Sequence, residues 1–523
     1  MSESRSPVDR RVMSVESLVD ADTWTARVMR SVELLEAMAA DRGVLADLPD
    51  DVRVRLLIAA GRVSKPLRAD NRRLWDARRQ NARARLDARR AADQRRLETT
   101  GIRRQRLQLV YETPRPGAGT FVEPPPAAEP IELVEAHPCY ICKYPYRQVH
   151  PFYDALCPAC AELNWRKRLQ TADLSGRVAL VSGARVKIGY QAAIMLLRAG
   201  AAVIALTRFP KDAVARYARE ADFDAWGHRL QVYGIDLRHT PSVEALAAHL
   251  HTAYDRLDFI LNNACQTVRR PPDFYQHLMD GEAAPLSALP AAAQRLLAHH
   301  SDLRRQSRAL AQAAQRPRAP RVQDSAQLSQ LPLLDGEGAR RQQPLFPVGQ
   351  LDADLQQVDL RTRNSWRLPL AEVSATELLE VQLVNAVAPF ILNARLKPLM
   401  LRHPSRDKHI VNVSAMEGQF YRASKTDKHP HTNMAKAALN MMTRTSAADY
   451  LQDGIHMNSV DTGWITDEDP VELAERKRRA HHFHPPLDYL DAAARICDPI
   501  FSGFLTGRHV WGQFLKDYRP ARW

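Results

Sequence analysis

One short stretch restricts the fold of this 523-residue chain more than any other. The apolar run Val178–Ser182 ends at Gly183, and Gly189 then begins a helical pattern that continues through Leu197. A second apolar run, Ala202–Leu206, follows at once. A strand, a glycine turn, a helix and another strand form the unit that places a pyrophosphate at a helix N-terminus. The pattern therefore predicts a parallel α/β sheet that binds a nucleotide.

Length and charge indicate that this sheet is only part of the molecule. A chain of 523 residues is long enough for two or three folded units. Its net charge of +14 comes largely from arginines between Arg62 and Arg106 and in a later insertion. The N-terminal residues show no secretory signal, and no apolar run spans a bilayer. We expect a cytoplasmic protein without a membrane segment.

We divide the chain into four parts. Residues 1–111 form a helical, arginine-rich region, and the proline-rich stretch at 112–135 is a linker. A small metal-binding unit occupies 136–170. The nucleotide-binding domain covers 171–523 and carries a glutamine-rich, low-complexity insertion at about 280–365 that we expect to be mobile.

The arginine-rich helix has two interpretations. Between Lys65 and Leu107 the apolar residues are few and lie among many arginines; they include Leu74, Trp75, Leu86 and Leu97. The first interpretation is a surface for RNA or another polyanion. The second is a solvated helix that packs one narrow edge on its neighbours, since charge runs are usually surface.

Two Cys-x-x-Cys pairs predict a metal site. Cys139 and Cys142 precede Cys157 and Cys160 by fourteen residues, a spacing that brings four thiolates together as a tetrahedron. Four thiolates leave no open coordination position, so we expect a structural zinc ion that stabilises a segment too small to bury its own core. An iron centre is the alternative, and His150 is an alternative ligand.

The segment Ser182–Gly189 resembles the cofactor loop of the short-chain dehydrogenase/reductase family. Lys187 stands where the family has its middle glycine, which normally lets the backbone approach a phosphate. There are two alternatives for this lysine. Its side chain brings positive charge to the phosphate, or it blocks the approach of the phosphate to the loop. The resemblance assigns six residues of this loop to cofactor binding: Ser182, Gly183, Arg185, Lys187, Ile188 and Gly189.

Four further matches occur in the family's order. They are Asp236 with Leu237 after a third strand, Asn262-Asn263-Ala264 with Cys265 in place of glycine, Asn385 after Val384 in a helix, and Ile410–Ser414. The resemblance implies a doubly wound parallel sheet, with Asp236 and Leu237 at the adenine and Asn263 and Ala264 beside the cofactor.

The resemblance also indicates which cofactor binds. Arg208 follows the second strand, where an acidic residue binds the ribose hydroxyls of NAD. An arginine there favours a 2′-phosphate, so we expect NADP rather than NAD. Gly463 and Thr466 resemble the segment that closes over the nicotinamide. Leu505–Gly512 resembles the family's last strand.

The family's catalytic tyrosine and serine are absent from their usual positions. Family members use a tyrosine, a lysine four residues later, a serine and the helix asparagine. In the best alignment Lys436 is kept, and it also holds the ribose, but Thr432 takes the tyrosine position. Ala415 falls on the serine position, one residue after Ser414. A threonine hydroxyl has too high a pKa to replace a phenol near neutral pH, so another acid is needed.

Three residues of a long loop are candidates for that acid. Tyr421 has a lysine four residues later, but it follows Ser414 too closely for the family's register. His429 and His431 have side chains suited to proton transfer near pH 7. An ordered loop residue without a catalytic role is the alternative for each of them.

Two functions are compatible with this sequence. One is an NADP(H)-dependent oxidoreductase with an unorthodox acid, acting on a carbonyl compound or alcohol that the sequence does not identify. The other is a catalytically silent NADP-binding scaffold associated with RNA or protein. The kept Lys436 and Asn385 favour the enzyme, which we also expect to be a homo-oligomer.

Overall fold

The computed structural model describes residues 21–114, 131–313, 322–334, 336–337, 343–421 and 425–523. Parts of the expected N-terminal helical region, linker, insertion and candidate-acid loop lie outside the described residues, at 1–20, 115–130, 314–321, 335, 338–342 and 422–424. The chain divides into two units, Met1–Ala88 and Arg89–Trp523.

The first unit consists of helices in its described part. These are α1 (Ala21–Ala40), α2 (Asp50–Ser64) and the larger part of α3 (Arg68–Glu98). Large apolar side chains such as Trp24, Leu34 and Ile58 are exposed on them. The arginines of α3 within this unit are exposed as well.

The second unit begins with a small subdomain. It contains α4 (Gly101–Gln105), the antiparallel strands β1 (Ile131–Pro138) and β2 (Pro145–Val149), and α5 (Pro158–Leu169). Leu133, Tyr146 and Trp165 are buried in its apolar cluster. The guanidinium of Arg168 lies 2.6 Å from Asp488, so the subdomain is joined to the main sheet domain by a buried ion pair.

The main domain is built on an eight-stranded sheet. Its strands are β3 (Val178–Ser182), β4 (Ala202–Thr207), β5 (Leu230–Gly234), β6 (Phe259–Asn262), β7 (Lys408–Ser414), β8 (Ile455–Asp461), β9 (Phe514–Lys516) and β10 (Arg519–Ala521). The strand order is β10-β9-β8-β7-β6-β3-β4-β5, and all neighbours except β10 and β9 are parallel. The order reverses between β3 and β6, which is where such sheets bind ligands.

The described part of the main domain contains thirteen α-helices. They are α6 (Lys187–Arg198), α7 (Pro210–Tyr217), α8 (Phe223–Trp226), α9 (Thr240–Ala253), α10 (Gln276–Ala283), α11 (Ala291–Arg295), α12 (Ala298–Ala313), α13 (Ser325–Leu328), α14 (Ala375–Gln382), α15 (Ala388–Leu401), α16 (Pro430–Gln452), α17 (Val471–His481) and α18 (Tyr489–Thr506). Helices α6 and α18 pack on one face, and α9, α15 and α16 contribute to the other. The predicted doubly wound α/β fold is confirmed.

The insertion differs from the mobile segment that its composition suggests. Its described residues form α10 to α13, and Leu296 and Leu297 are buried in the main core. The carbonyl of Leu296 accepts a hydrogen bond from the amide of Val232 in the edge strand β5. Ala326 and Phe346 of the insertion pack with Phe209 in a second cluster. Apolar residues spaced among the glutamines are sufficient to anchor this part of the insertion.

The last strand also differs from its sequence prediction, which placed it at Leu505–Gly512. The helix α18 continues to Thr506, and the strand β9 begins at Phe514. Gly507, with φ of +66°, ends the helix in the left-handed conformation that glycine favours. The apolar run Ile496–Leu505 therefore belongs to a buried helix.

Among the described residues, one helical stretch, Ala375–Leu401, has the length and apolar composition of a membrane span. Val381, Leu392 and Leu396 of this stretch are fully buried inside the second unit. A buried core helix can have the same length and apolar composition as a membrane span, so these two properties do not distinguish them.

Candidate functional site

The predicted phosphate-binding loop connects β3 to α6. Gly183 has φ of +69° and Lys187 has φ of +57°, both in the left-handed region that favours glycine. A Cβ added at Gly189 would lie 2.3 Å from Nδ2 of Asn263 and from the Gly183 carbonyl oxygen, so only glycine fits there. Asn263 donates hydrogen bonds to the carbonyls of Ser182 and Gly183. Asn263 thereby holds the loop backbone in place.

A cleft with a volume of about 820 Å³ begins at this loop and extends along the carboxyl ends of the strands. Its volume lies in the range of small-molecule and cofactor sites. Most residues predicted to bind the cofactor line it, namely Gly183, Arg185, Lys187, Ile188, Gly189, Arg208, Asp236, Leu237, Asn263, Ala264 and Thr466. Ser182, Gly463 and Lys436 do not line it.

A short hairpin from the insertion lies beside the loop. Residues 351–357 close it through a bridge between Leu351 and Gln357, and we call it the acidic hairpin. Oε1 of Gln356 accepts a hydrogen bond of 3.0 Å from Arg185. Oδ2 of Asp354 lies 3.8 Å from Nζ of Lys187. Sequence reasoning missed this contact because the hairpin is separated from the loop by much of the chain.

The acidic hairpin changes the electrostatics of the loop. Burial lowers the pKa of Lys187, but Asp354, Glu468 and Asp352 together outweigh burial and raise it. Burial raises the pKa of Asp354, whose Oδ2 accepts a hydrogen bond of 2.7 Å from the hydroxyl of Tyr489. The lysine at the middle-glycine position is therefore charged and faces carboxylates.

Arginines surround the part of the cleft next to β4 and β5. Arg208 donates a hydrogen bond of 2.6 Å to the Tyr275 hydroxyl, and its guanidinium lies 4.6 Å from the centre of that ring. Burial raises the pKa of Asp236, but the hydrogen bonds and charge of Arg238 outweigh burial and lower it. Arg238 also donates to Glu380 at 2.6 Å. The carboxylate of Asp236 is thus already bound to an arginine.

The helix asparagine lies in a local widening of its helix. Residues Leu383–Val387 form one π-helical turn between α14 and α15, and such turns occur often at functional sites. Oδ1 of Asn385 accepts a hydrogen bond of 2.7 Å from the amide of Gln266, and Nδ2 donates to the carbonyl of the same residue. Gln266 lines the cleft, so Asn385 is positioned directly behind the cleft wall.

Lys436 and two hydroxyl groups are buried where β7 ends. Nζ of Lys436 donates a hydrogen bond of 2.7 Å to the carbonyl of Val413. Ser414 follows in the same strand, and Thr432 lies one helical turn before Lys436 in α16. Neither hydroxyl has a hydrogen-bond partner among the described residues. Buried hydroxyls without partners are uncommon, and a bound ligand is one reason for them.

The three loop candidates for an acid lie in different surroundings. His431 is buried with Nε2 3.5 Å from Oε1 of Glu377. His429 stacks on Trp366 at 3.7 Å between ring centres and donates from Nδ1 to its carbonyl, and burial lowers its pKa. Tyr421 is half exposed. None of the three lines the cleft.

Two family models match this chain. The model described as short chain dehydrogenase matches residues 177–278, and the model described as enoyl-(acyl carrier protein) reductase matches residues 349–487. Together they cover the loop, Asp236, Asn385 and Lys436 in the expected order. The chain belongs to the short-chain dehydrogenase family.

Relatives of this short-chain dehydrogenase include an uncharacterized protein of Acanthamoeba polyphaga mimivirus, 30% identical over 71% of this chain and 73% of the relative. An uncharacterized oxidoreductase of Bacillus subtilis is 32% identical over 24% of this chain and 49% of its own length. Among solved structures, a short-chain dehydrogenase from Streptomyces avermitilis is 17% identical, with a TM-score of 0.38 over 66% of this chain and 88% of that one. The NADP complex of RhlG from Pseudomonas aeruginosa is also 17% identical, with a TM-score of 0.40, and the match covers 66% and 95% of the two chains.

The sequence did not point to one ionisable group near Lys436, the carboxyl group of Glu417. Glu417 lies in the turn that directly follows Ala415. Burial raises its pKa, and Asp461 raises it further, against the lowering effects of Lys425 and Lys436. A carboxyl group with a raised pKa next to the kept lysine has the property that a proton donor needs. Its position two residues after the serine position is the signal that could have identified it.

The segment assigned to the nicotinamide contacts the small subdomain of this short-chain dehydrogenase. Gly463 has φ of +81°, and a Cβ there would lie 2.6 Å from Leu487. The next amide, that of Trp464, donates a hydrogen bond of 3.0 Å to the hydroxyl of Tyr140. Thr466 donates to Glu468 at 2.6 Å. The chain around Tyr140 therefore helps to set the position of this segment.

The four cysteines of the small subdomain meet in one cluster. The Sγ atoms of Cys139, Cys142, Cys157 and Cys160 all lie within 4.8 Å of one another. The Sγ atoms of Cys142 and Cys157 are 3.7 Å apart, close to the separation of about 3.8 Å that tetrahedral Zn–S bonds produce. A backbone hydrogen bond from Tyr144 lowers the pKa of Cys142 to about 7. His150 is outside the cluster, because its Nδ1 accepts hydrogen bonds from the amides of Phe152 and Tyr153.

Proposed function

We propose that this short-chain dehydrogenase is an NADP(H)-dependent oxidoreductase that interconverts a carbonyl compound and an alcohol with an atypical proton donor. The cleft carries the proposal. One continuous surface joins the glycine loop, Arg208 and Thr466, the three places where the family resemblance puts the pyrophosphate, the 2′-phosphate and the carboxamide. This surface supports binding of the whole cofactor, a property that the oxidoreductase shares with an NADP-binding scaffold.

The residues of the cleft fit this cofactor. The glycine cradle at Gly183 and Gly189 leaves room for a backbone approach, because side chains are excluded there. Arg208 offers a planar cation suited to a phosphate, and the arginine is already oriented by Tyr275. When bound, the nicotinamide ring supplies or accepts the hydride.

The protein's own groups orient the substrate and move the proton. Nζ of Lys436 is held at the end of β7 by its hydrogen bond to the carbonyl of Val413, where the family resemblance has this lysine hold the nicotinamide ribose. Thr432 and Ser414 can donate hydrogen bonds but have pKa values too high to give up a proton. We propose Glu417 as the proton donor, because it lies in the turn that directly follows the serine position and burial raises the pKa of its carboxyl group. This site is atypical because no tyrosine performs that step.

A turnover experiment tests the enzyme proposal. Oxidation of NADPH is followed by absorbance with a panel of aldehydes, ketones and imines, for the wild type, Lys436→Ala and Arg444→Ala. Arg444 is exposed on the same helix and serves as the control. We expect turnover in the wild type and the control, and a loss of about 100-fold or more in Lys436→Ala. Equal rates in the wild type and Lys436→Ala contradict the proposal.

A catalytically silent NADP-binding scaffold is the second candidate. It is favoured by Thr432 at the tyrosine position, by Ala415 at the serine position, and by the fact that none of the catalytic candidates lines the cleft. This function predicts tight NADPH binding without turnover on any substrate of the panel.

We also propose that the cysteine cluster holds a structural zinc ion. Four thiolates at tetrahedral separation leave no position for substrate, so the ion would stabilise β1, β2 and α5. Elemental analysis of the purified protein tests this proposal. A zinc content that falls by one equivalent per chain in Cys157→Ser supports it, and iron in the cluster or a zinc content that does not change in this variant contradicts it.

A further inference from the structure

Three histidines meet at the edge of the sheet opposite the cleft. His409 and His456 lie near the starts of the adjacent strands β7 and β8 and are paired in register. His509 comes from the segment that connects α18 to β9. The ring centres are 5.2 Å apart for His409 and His456, 5.1 Å for His409 and His509, and 4.9 Å for His456 and His509. The cofactor cleft lies at the carboxyl ends of the same strands, so this cluster is separate from it.

The ring nitrogens point toward a common place. One nitrogen from each ring lies within 4.8 Å of the other two. Nε2 of His409 and Nδ1 of His509 are at a hydrogen-bond distance of 2.8 Å, so an ion that binds both nitrogens would displace the proton that they share. Nδ1 of His456 lies 3.1 Å from the carbonyl of Lys408 and must donate to it, since a carbonyl only accepts. Its Nε2 therefore carries the lone pair. A ring N–H bound to a backbone carbonyl is the usual support of a metal-binding histidine.

Burial keeps these rings in the form that binds metals. Burial lowers the pKa of His409, His456 and His509. The rings of His456 and His509 lower the pKa of His409 further. Neutral imidazole is the metal-binding form of histidine. The carboxylate of Asp407 faces His456 and His509, and it is held by Arg177 at 2.7 Å.

The chain leaves space for this arrangement. A Cβ added at Gly503 would lie 2.4 Å from Nδ1 of His509, so glycine at 503 lets the ring reach the other two. His409 is fully buried and His456 is 8% exposed, while His509 is partly exposed. An ion can therefore reach the cluster from solvent on the side of His509.

We propose that His409, His456 and His509 form a binding site for one divalent transition-metal ion, such as Zn²⁺ or Co²⁺. Imidazole suits ions of this intermediate softness, and three protein ligands leave a fourth position for water. Such an ion would join β7 and β8 to the C-terminal segment and would stabilise the sheet at its amino edge.

Cobalt(II) is the probe that tests this site, because its absorption distinguishes nitrogen from thiolate ligands. Full-length protein carrying one equivalent of Zn²⁺ per chain, which the four-thiolate cluster binds first, is titrated with CoCl₂. We expect one equivalent of Co²⁺ to give d–d bands without a thiolate charge-transfer band. The bands should disappear in His509→Gln and His456→Gln and persist in the control His228→Gln, whose side chain is exposed. If Co²⁺ enters the cysteine cluster as well, the charge-transfer band reveals it separately.

A wild-type measurement covers the case in which the variants do not fold. An ion that binds only the folded state raises Tm by mass action. We expect the Tm of zinc-loaded wild-type protein to rise as Co²⁺ is added. Absence of the d–d bands in the wild type, no change in Tm, or bands that survive in both folded histidine variants would each overturn the proposal.

Discussion

At the scale of single residues, Lys187 stands where the family has the middle glycine of its cofactor loop. Its φ of +57° lies in the left-handed region that glycine favours, so a side chain is held in a backbone conformation that glycine normally supplies. A non-glycine residue held there costs on the order of 1 kcal/mol or more. The lysine replaces the open space of a glycine with a cation, and Asp354 now pairs with that cation.

This pairing predicts an effect of Asp354 on cofactor affinity. Asp354→Asn removes the carboxylate that competes with a phosphate for Lys187. We expect NADPH to bind about two- to fivefold more tightly, or ~0.5–1 kcal/mol, because partly exposed ion pairs contribute little. Calorimetric titration at low salt measures the change. Asp255→Asn, which removes an exposed carboxylate elsewhere, should leave the affinity unchanged. Weaker binding in Asp354→Asn would show that the hairpin supports the cofactor instead.

The second residue-scale prediction concerns Glu417. Burial and Asp461 raise its pKa in the folded protein above the unfolded value of about 4.3. The protonated form is therefore favoured by folding, and the associated stability is present below the unfolded pKa and lost as pH rises through the folded pKa. Glu417→Gln stays neutral and should be more stable than the wild type at pH 7. We expect the difference to vanish at about pH 4.

Chemical denaturation at a series of pH values measures this difference. Glu472→Gln changes an exposed carboxylate and is the control. Glu417→Gln should also reduce turnover while NADPH affinity is kept, because the variant lacks a proton to donate. A folded Glu417→Gln variant that keeps full activity would exclude Glu417 as the proton donor.

At the scale of elements, the cysteine-bearing subdomain should depend on its metal. Its few buried residues, including Trp165 at 6% exposure, form too small a core to fold alone. A strong chelator should unfold β1, β2 and α5 and shift tryptophan emission to longer wavelength. Trp165→Phe should lose that shift. Unchanged emission in the wild type after the metal is removed would mean that packing on α18 is sufficient.

Helix α3 carries a second element-scale prediction, because we propose that its exposed arginines bind a polyanion such as RNA. Replacing Arg72, Arg79 and Arg83 with alanine should weaken binding to single-stranded RNA. The slope of log K against log salt should fall by about 2, since each lost phosphate contact contributes about 0.7. Fluorescence anisotropy at several salt concentrations measures it.

A control of equal charge separates this effect from net charge. Arg219, Arg402 and Arg444 are exposed arginines outside this helix, and their replacement by alanine gives the same change in charge. Equal losses in both triple variants would show that binding follows overall charge and that α3 is a solvated helix.

Sequence patterns predicted those parts of the structure whose geometry is set by residues close together in the chain. The glycine loop and the two cysteine pairs are short motifs whose geometry is fixed within a few residues, and the structure places both as expected. The last strand was misplaced because the apolar stretch before Gly507 is equally compatible with a buried helix. The acidic hairpin, Glu417 and the three histidines depend on contacts between distant segments, which one sequence does not reveal.

At the scale of the whole molecule, the insertion and the main sheet form one folded domain. The insertion covers the edge strand β5 through the hydrogen bond from Val232 to Leu296, which removes an open edge that could pair with other chains. It then returns to the cofactor loop as the acidic hairpin. An addition to the family fold thus supplies both an edge cover and charged neighbours of the phosphate loop.

If the cleft binds NADP(H) through Arg208, calorimetric titration with NADPH and NADH shows it most directly. We predict that the wild type binds NADPH more tightly than NADH. Arg208→Ala should weaken NADPH binding by about 10- to 100-fold and leave NADH binding nearly unchanged, because only the 2′-phosphate contact is lost. Arg444→Ala should behave as the wild type. Failure of both dinucleotides to bind, or equal losses for both in Arg208→Ala, would contradict the account.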